Sequence, residues 1–213
     1  MYTKSNDRIF ADGFESGTFA PPWTSAVNAG SRINITAAAA TSGSTKGMAA
    51  LISGGTSGYV VDGLPANEPS YHARFYFNPN GVALGNANHN LLVGLNASNQ
   101  IAFRVQLRRS GGLNPQYQIR ASVSRAGGST STNWFSITNA YHPIEIAWQS
   151  AGSALVSLYV DGALKQTLTN LNTSAYLIDS VRLGPPSSGI SSSVSGTEYF
   201  DDFYSSRTIL IGP

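Results

Sequence analysis

The sequence predicts an all-β fold, a sandwich of two antiparallel sheets. Apolar residues recur at every second position in several segments, as in a strand that buries one face. Gly-, Ser- and Asn-rich turn sequences separate these segments. No segment sustains the apolar period of a helix. These observations together favour strands, turns and two packed sheets.

The clearest alternation lies in the middle of the chain. In 101–109, apolar residues occupy positions 101, 103, 105 and 107, with polar residues between them. The same pattern appears in 71–77 and in 117–123. Further strands are predicted at 47–53, 58–61, 90–96, 144–149, 155–161, 176–183 and 199–204.

The length of 213 residues suits one large β-sandwich, so we predict a single β-sandwich domain over 1–213. A chain of this size buries enough surface to fold without covalent staples. It contains no cysteine, which excludes disulfides, thiolate metal sites and a thiol nucleophile.

The composition favours an exported protein. Only 11% of the residues are charged, against the usual quarter. Such a surface has weak electrostatic fields, which argues against a nucleic-acid binder. No apolar run approaches the length of a membrane span, so no membrane insertion is expected. We expect a secreted or cell-surface protein whose signal sequence is not part of this chain.

Both ends of the chain combine aromatic residues with carboxylates. Segment 10–17 reads FADGFESG and segment 198–204 reads EYFDDFY. If the first and last strands lie side by side, four carboxylates converge: Asp12, Glu15, Asp201 and Asp202. Calcium prefers such oxygen ligands, so we predict a structural calcium site here. Adjacent strand residues point to opposite faces, so at most one of Asp201 and Asp202 is expected to join it.

Two internal segments, with the two ends, resemble a known family. Segment 143–149 (PIEIAWQ) followed by 154–163 (ALVSLYVDGA) looks like the central hairpin of laminin-G-like and concanavalin-A-like jelly rolls. The terminal segments are similar to those of bacterial members. The resemblance implies a lectin-like jelly roll. It leaves the function open, because this fold carries lectins, adhesins, polysaccharide lyases and glycosidases.

The distribution of charge is the main functional signal. No Asp or Glu lies between Glu68 and Glu145, yet this span contains six arginines. If its strands share the concave sheet, their outward side chains form one binding floor. The predicted ligand-binding residues are Arg74, Tyr76, Arg104, Gln106, Arg108, Gln118 and Arg120. Arginine binds carboxylate or sulfate bidentately, which predicts a polysaccharide partner, in particular an acidic one.

The three tryptophans receive different predictions. Trp148 alternates with apolar residues and is expected in the core, whereas Trp23 is expected to cap the sandwich beside the terminal strands. Trp134 lies among polar residues and is the candidate for an exposed ring that stacks on a sugar.

Catalysis has less support in the sequence. A glycosidase needs two carboxylates close together, and Glu145 has no such partner nearby in the sequence. The histidines at 72, 89 and 142 lack the spacing of metal ligands. A lyase acting on uronates needs an arginine or amide that neutralises the carboxylate, with Tyr or His as base and acid. His72, Arg74 and Tyr76 beside Gln106 or Gln118 would provide such groups.

The sequence therefore favours a non-catalytic extracellular glycan-binding or adhesive module. One alternative is a self-assembling surface or filament subunit, because lysines are few and the segment 209–213 is a flexible apolar tail able to pair with a neighbour. The other is a polysaccharide lyase acting on uronates. Nucleic-acid binding is disfavoured, since the basic strands lack the stacking aromatics of single-strand binders.

Overall fold

A computed structural model describes residues 7–28 and 30–213. Sixteen strands form within these residues. In chain order they are β1 (Arg8–Asp12), β2 (Ser25–Val27), β3 (Ile33–Thr36), β4 (Gly47–Ile52), β5 (Tyr59–Asp62), β6 (Ser70–Asn78), β7 (Asn88–Leu95), β8 (Ile101–Arg109), β9 (Tyr117–Arg125), β10 (Gly128–Ser131), β11 (Phe135–Ile137), β12 (His142–Gln149), β13 (Ala154–Val160), β14 (Ala163–Leu171), β15 (Ser180–Leu183) and β16 (Gly196–Ser206).

The strands form two antiparallel sheets of eight, which confirms the predicted jelly-roll sandwich. Sheet 1 has the order β14-β13-β12-β6-β16-β4-β3, with β1 also paired to β16. Sheet 2 has the order β10-β9-β8-β7-β15-β5-β2, with β11 also paired to β9. The pairing of β1 with β16 confirms that the first and last strands lie side by side.

The inner faces of the two sheets bury one continuous apolar core. Phe103 of sheet 2 lies between two aromatic residues of sheet 1, with ring centroids 6.1 Å from Tyr71 and 6.2 Å from Trp148. Trp23 is buried against Phe10 and Phe203 of the paired terminal strands. The predictions for Trp23 and Trp148 are therefore confirmed.

The predicted strands agree best with the structure where apolar alternation is strongest. β8 has the predicted bounds, whereas only the last four residues of the predicted 176–183 strand pair in β15. β14 was not predicted, because this edge strand is mostly exposed or half-buried and so has no alternation. The short strands β2, β3, β10 and β11 were also not predicted.

Helical structure is minimal in the described residues. One turn of 3₁₀ helix spans Ala37–Ala39, and the Thr36 hydroxyl accepts a hydrogen bond from the Ala38 N–H at its start. No helix in 7–28 or 30–213 is long and apolar enough to cross a membrane.

The C-terminal residues lie on the outer face of sheet 1. The Glu145 carboxylate of β12 accepts hydrogen bonds from the backbone N–H of Ile211 (2.8 Å) and of Gly212 (3.0 Å). The Gly212 carbonyl accepts one from Arg74 (3.1 Å). The prediction of a flexible tail is therefore wrong: the backbone of this segment is bound by its own sheet.

Candidate functional site

The outer face of β8 carries three polar side chains. Arg104, Gln106 and Arg108 alternate with inward residues that are fully buried in the core. Gln106 is 7% exposed although it lies on the outer face, so neighbouring polar side chains cover it. The burial of the intervening residues confirms the prediction that these three side chains point away from the core.

The neighbouring strand β9 extends this polar surface. In the antiparallel register Gln118 lies opposite Arg108, and Arg120 lies opposite Gln106. Each guanidinium binds its cross-strand amide: Arg108 Nε donates to Gln118 Oε1, and Arg120 Nε donates to Gln106 Oε1, both at 2.9 Å. These bonds fix each guanidinium at its Nε side.

Trp134 organises the same two arginines. The guanidinium carbons of Arg108 and Arg120 each lie 4.4 Å from its ring centroid. Trp134 is half-buried, so the prediction of an exposed platform is only partly met. Two cations already lie over its π-face, a favourable electrostatic contact.

Arg182 and Tyr59 extend the surface on the other side of β7. Arg182 of β15 lies opposite Val93, which in turn lies opposite Arg104, so both arginines share the outer face. The Arg182 guanidinium carbon is 5.3 Å from the Tyr59 ring centroid. Sequence analysis missed both residues, because their strands are short and pair only with strands distant in sequence: β15 pairs with β7 and β5, and β5 pairs with β15 and β2.

We refer to this surface as the arginine face. It is defined by Tyr59, Asn90, Arg104, Gln106, Arg108, Gln118, Arg120, Trp134 and Arg182. Asn90 belongs to it because its Oδ1 accepts a hydrogen bond from Gln106 Nε2 at 3.1 Å.

The arginine face has no carboxylate counterpart in the described part of the chain. The strands of sheet 2 contain one acidic residue there, Asp62, and it is buried on the inner face. None of the ion pairs among the described residues involves an arginine of this sheet. Burial, with the charges of Arg108 and Arg104, lowers the pKa of Arg120. Positive charges therefore repel one another here, which favours binding of an anion.

Arg74 and Tyr76 lie elsewhere, so the prediction that they share the floor is wrong. Both belong to β6, which pairs with β12 and β16 in sheet 1. Arg74 donates to Asp202 Oδ2 at 2.6 Å, and its guanidinium carbon is 5.1 Å from the Tyr76 ring centroid. Alternation assigns a side chain to the outer face but does not identify its sheet. The lyase arrangement of His72, Arg74 and Tyr76 with the two glutamines is therefore not assembled.

Three of the four terminal carboxylates line one cleft. Glu15, Asp201 and Asp202 border it together with the loop 41–44. Burial raises the pKa of Asp201. Hydrogen bonds from Ser44 and Thr45, and from backbone N–H groups, lower the pKa of Glu15 to about 2.

Asp12 does not line this cleft. Its Oδ2 accepts a hydrogen bond from Trp23 Nε1 at 2.7 Å, and burial, with the charge of nearby Glu15, raises the pKa of its carboxyl. Of the four carboxylates predicted to converge, three therefore line this cleft. In the described residues, no group of three His, Asp or Glu side chains is arranged to hold a metal ion. The calcium site stays a prediction.

A cavity of about 420 Å³ adjoins the arginine face. Ser136, which accepts a hydrogen bond from Gln118 at 3.4 Å, lines it together with Arg109, His142 and Asp161. His142 Nε2 accepts the backbone N–H of Thr138 (3.1 Å), so the imidazole proton lies on Nδ1, which donates to Asp161 (2.8 Å).

Sequence comparison identifies no family. The chain matches no family model, and no curated protein matches it. Comparison of structures does find similar folds. A protein described as cellulose induced protein Cip1 has a TM-score of 0.66 and 16% sequence identity, over 94% of this chain and 98% of that chain. An endo-β-1,4-glucuronan lyase from the fungus Trichoderma reesei has a TM-score of 0.64 and 12% identity, over 94% and 96%.

A further similar structure is the receptor-binding domain of botulinum neurotoxin type G. The TM-score is 0.60 and the identity 12%, over 97% of this chain and 49% of that one, so the chain spans about half of that domain. At these identities the likeness shows the fold alone: a jelly-roll sandwich shared with a lyase and receptor-binding domains. The comparisons do not show that the chain belongs to the bacterial laminin-G family.

Proposed function

We propose that this chain is a secreted, non-catalytic carbohydrate-binding domain whose arginine face binds an acidic polysaccharide. The observation that carries the proposal is that no carboxylate in 7–28 or 30–213 lies on this face, although Arg104, Arg108, Arg120 and Arg182 share it. A sheet that merely faced water would pair such cations with acids. An anionic ligand supplies the missing charge.

The neighbouring amides support recognition of a sugar rather than of any anion. Gln106 and Gln118 each use Oε1 to orient an arginine; Gln106 is covered and its Nε2 donates to Asn90, so the half-buried Gln118 is the amide that can hydrogen-bond to a sugar hydroxyl. The similar structures are consistent with this ligand class. One is named for glucuronan, and a botulinum neurotoxin serotype D domain is described in complex with N-acetylneuraminic acid; both are acidic carbohydrates.

Electrophoresis in native gels cast with neutral, uronate or sulfated polysaccharides tests the proposal. We expect retardation by acidic polymers only, weakened by added salt. The double variant Arg108→Gln/Arg120→Gln should lose it. The double variant Arg8→Gln/Arg32→Gln removes the same charge from outside sheet 2 and should keep it. Equal retardation of the two variants, or none of the wild type, would contradict the proposal.

A uronate lyase is the second candidate. Its support is the proximity of guanidinium and amide groups able to neutralise a uronate, together with the fold likeness to a glucuronan lyase. The phenol of Tyr59 would act as the base, because the described arginine face contains no histidine and both ring nitrogens of the nearby His142 are already hydrogen-bonded. Uronate polymers incubated with the protein would then gain ultraviolet absorbance from the unsaturated product, and Tyr59→Phe would abolish the gain.

A further inference from the structure

We propose that the cavity beside the arginine face is a second carbohydrate subsite, which binds an uncharged sugar. The ligand is then a copolymer in which an acidic sugar, bound by the arginine face, is linked to a neutral one. This inference rests on the proposed function and specifies its ligand. It follows from the groups that line the cavity and from the contact that joins the cavity to the arginine face.

The cavity lies where the chain passes from β11 of sheet 2 to β12 of sheet 1. Residues 109, 115–117, 136–139, 142 and 161 line it. Tyr117 and Ile137 are each 6% exposed and provide apolar surface. The volume of about 420 Å³ falls within the range of small-molecule sites, about 300–1,000 Å³. A single sugar, with an apolar ring face and polar hydroxyls, is a suitable occupant.

Ser136 joins the cavity to the arginine face. It lines the cavity, and its Oγ accepts a hydrogen bond from Gln118 Nε2 at 3.4 Å. Gln118 Oε1 in turn accepts a hydrogen bond from Arg108 Nε at 2.9 Å. In β9, Gln118 on the arginine face directly follows Tyr117, which lines the cavity. Neighbouring sugars of one chain can therefore occupy the two sites at once.

The polar groups of the cavity suit sugar hydroxyls, which both donate and accept hydrogen bonds. The Asp161 carboxylate is half exposed and binds one described donor, His142 Nδ1 at 2.8 Å, so it retains capacity to accept from hydroxyls. Asn139 Oδ1 accepts the Gly81 N–H at 2.7 Å, which leaves the amide NH₂ of Asn139 without a partner among the described residues. The Arg109 side chain makes no hydrogen bond within 7–28 or 30–213. The cavity therefore offers both donors and acceptors to a ligand.

The cavity carries no net charge, unlike the arginine face. Its lining contains one cation, Arg109, and one carboxylate, Asp161. The His142 imidazole is neutral, because its Nε2 accepts the backbone N–H of Thr138 and its Nδ1 carries the proton. A ligand carboxylate in the cavity would be repelled by Asp161, whereas on the arginine face it meets guanidinium groups and no described carboxylate. An acidic sugar is therefore favoured on the arginine face and a neutral sugar in the cavity.

Calorimetric titration with tetrasaccharides tests this division. Three probes alternate glucuronate with a neutral N-acetylhexosamine: hyaluronan, heparosan and unsulfated chondroitin. The fourth probe is tetraglucuronate, in which every sugar is acidic. We expect at least one copolymer to bind about tenfold more tightly than tetraglucuronate, as one or two net hydrogen bonds would provide. If tetraglucuronate binds as tightly as all three copolymers, the inference is wrong.

Nuclear magnetic resonance locates the neutral sugar on the protein. We expect the preferred copolymer, and not tetraglucuronate, to shift the backbone amide resonances of residues 136–139, which line the cavity. Shifts confined to 101–109 and 118–125 with every probe would overturn the inference.

Two variants of opposite charge test whether the cavity excludes an acidic sugar. Asp161→Asn retains an oxygen that accepts the His142 Nδ1–H, gives the cavity a positive charge, and should raise the affinity for tetraglucuronate by about two- to fivefold. Arg109→Gln gives the cavity a negative charge and should lower that affinity by a similar factor. Glu15→Gln removes a negative charge outside both sites and should leave it unchanged. Equal effects of Glu15→Gln and Asp161→Asn would indicate a general charge effect and overturn the inference.

A bulky side chain in the cavity tests the site without changing its charge. Gln116→Trp narrows the cavity and should reduce the affinity for the preferred copolymer to that for tetraglucuronate. Asn114→Trp, in the same exposed loop but outside the lining, should leave the preference intact. If Gln116→Trp lowers the affinity for both probes equally, or for neither, the inference is wrong. Melting temperatures show whether each variant is folded.

Failure of this inference is distinguishable from failure of the proposed function. If no acidic oligosaccharide binds, the proposed function itself is wrong. If all the probes bind equally and Arg108→Gln/Arg120→Gln abolishes binding, the function stands and only the neutral subsite is wrong.

Discussion

The imidazole of His89 and the carboxylate of Glu198 join the two sheets from inside the core. His89 Nε2 lies 2.8 Å from Glu198 Oε1, and both side chains are fully buried. Among the described groups, His89 Nδ1 and Glu198 Oε2 have no hydrogen-bond partner. Such a pair carries a high desolvation cost, so each partner depends on the other.

Removing one partner of the His89–Glu198 pair should lower the stability of the fold. We expect His89→Leu to lower the free energy of unfolding by about 3–5 kcal/mol, because it leaves the Glu198 carboxylate buried and alone. The double variant His89→Leu/Glu198→Leu should lose clearly less. Urea unfolding followed by tryptophan fluorescence measures both. Equal losses in the single and double variants would contradict this account.

Trp134 should matter for binding more than for stability. We expect Trp134→Leu to weaken binding of an acidic polysaccharide by about 5- to 30-fold, since two cation–π contacts orient Arg108 and Arg120. Trp134→Phe keeps an aromatic face and should retain part of the affinity. Calorimetric titration gives the affinities. Unchanged affinity of Trp134→Leu would show that the ring does not position these arginines.

Asp62 should make stability depend on pH. Burial raises the pKa of its carboxyl from 3.8 to about 6. The folded protein therefore holds this proton more tightly than the unfolded chain does. The contribution of Asp62 to stability is full below pH 4 and lost as the pH rises through 6, a decrease of about 3 kcal/mol.

The variant Asp62→Asn tests this contribution. An Asn Oδ1 still accepts the Leu64 N–H, which Asp62 Oδ1 accepts at 3.0 Å. We expect the variant to unfold at higher urea concentration than the wild type at pH 8, with the difference disappearing at pH 4. If the free energies of unfolding of the wild type and the variant changed in parallel between pH 4 and pH 8, Asp62 would not titrate as described.

Glu145 should hold the C-terminal segment against sheet 1. Its carboxylate accepts two backbone N–H groups, from Ile211 and Gly212. We expect Glu145→Ala to increase thermolysin cleavage between residues 208 and 212, detected by mass spectrometry. Gln149→Ala changes another side chain of β12 and serves as the control. Equal cleavage in the two variants would contradict the role of Glu145.

Calcium should stabilise the protein if the cleft beside β16 binds it. We expect calcium to raise the melting temperature relative to chelator, by about 2–4 °C for each kcal/mol of binding energy. Asp201→Asn should lose the response, whereas Asp179→Asn, a carboxylate outside the cleft, should keep it. A melting temperature that does not change with calcium would exclude a site of useful affinity.

Strands were predictable where only one face of the strand is buried. β8 has the bounds that its alternation predicted, because every second side chain enters the core. β14 shows no such pattern, because it lies at the edge of sheet 1 and buries little. Periodicity records burial, so a strand that is held mainly by backbone hydrogen bonds leaves no apolar signal.

The site was predictable only in part, because alternation assigns a side chain to a face but does not identify its sheet. Arg104, Arg108 and Arg120 were assigned to one surface correctly, because hairpin neighbours such as β8 and β9 pair across a short connection. Arg74 was assigned to the same surface wrongly, and Arg182 was missed. Both errors concern pairings between strands distant in sequence, and the local alternation of either strand contains no information about them.

The opposite charge of the two sheets has a kinetic consequence. Strands of sheet 2 contain six arginines and one acidic residue, whereas strands of sheet 1 contain five acidic residues and three basic ones. A polyanion at a distance therefore exerts a torque that turns sheet 2 toward it before any contact forms. The polyanion therefore meets the protein with sheet 2 already facing it. Added salt should then reduce the association rate constant far more than it changes the dissociation rate constant.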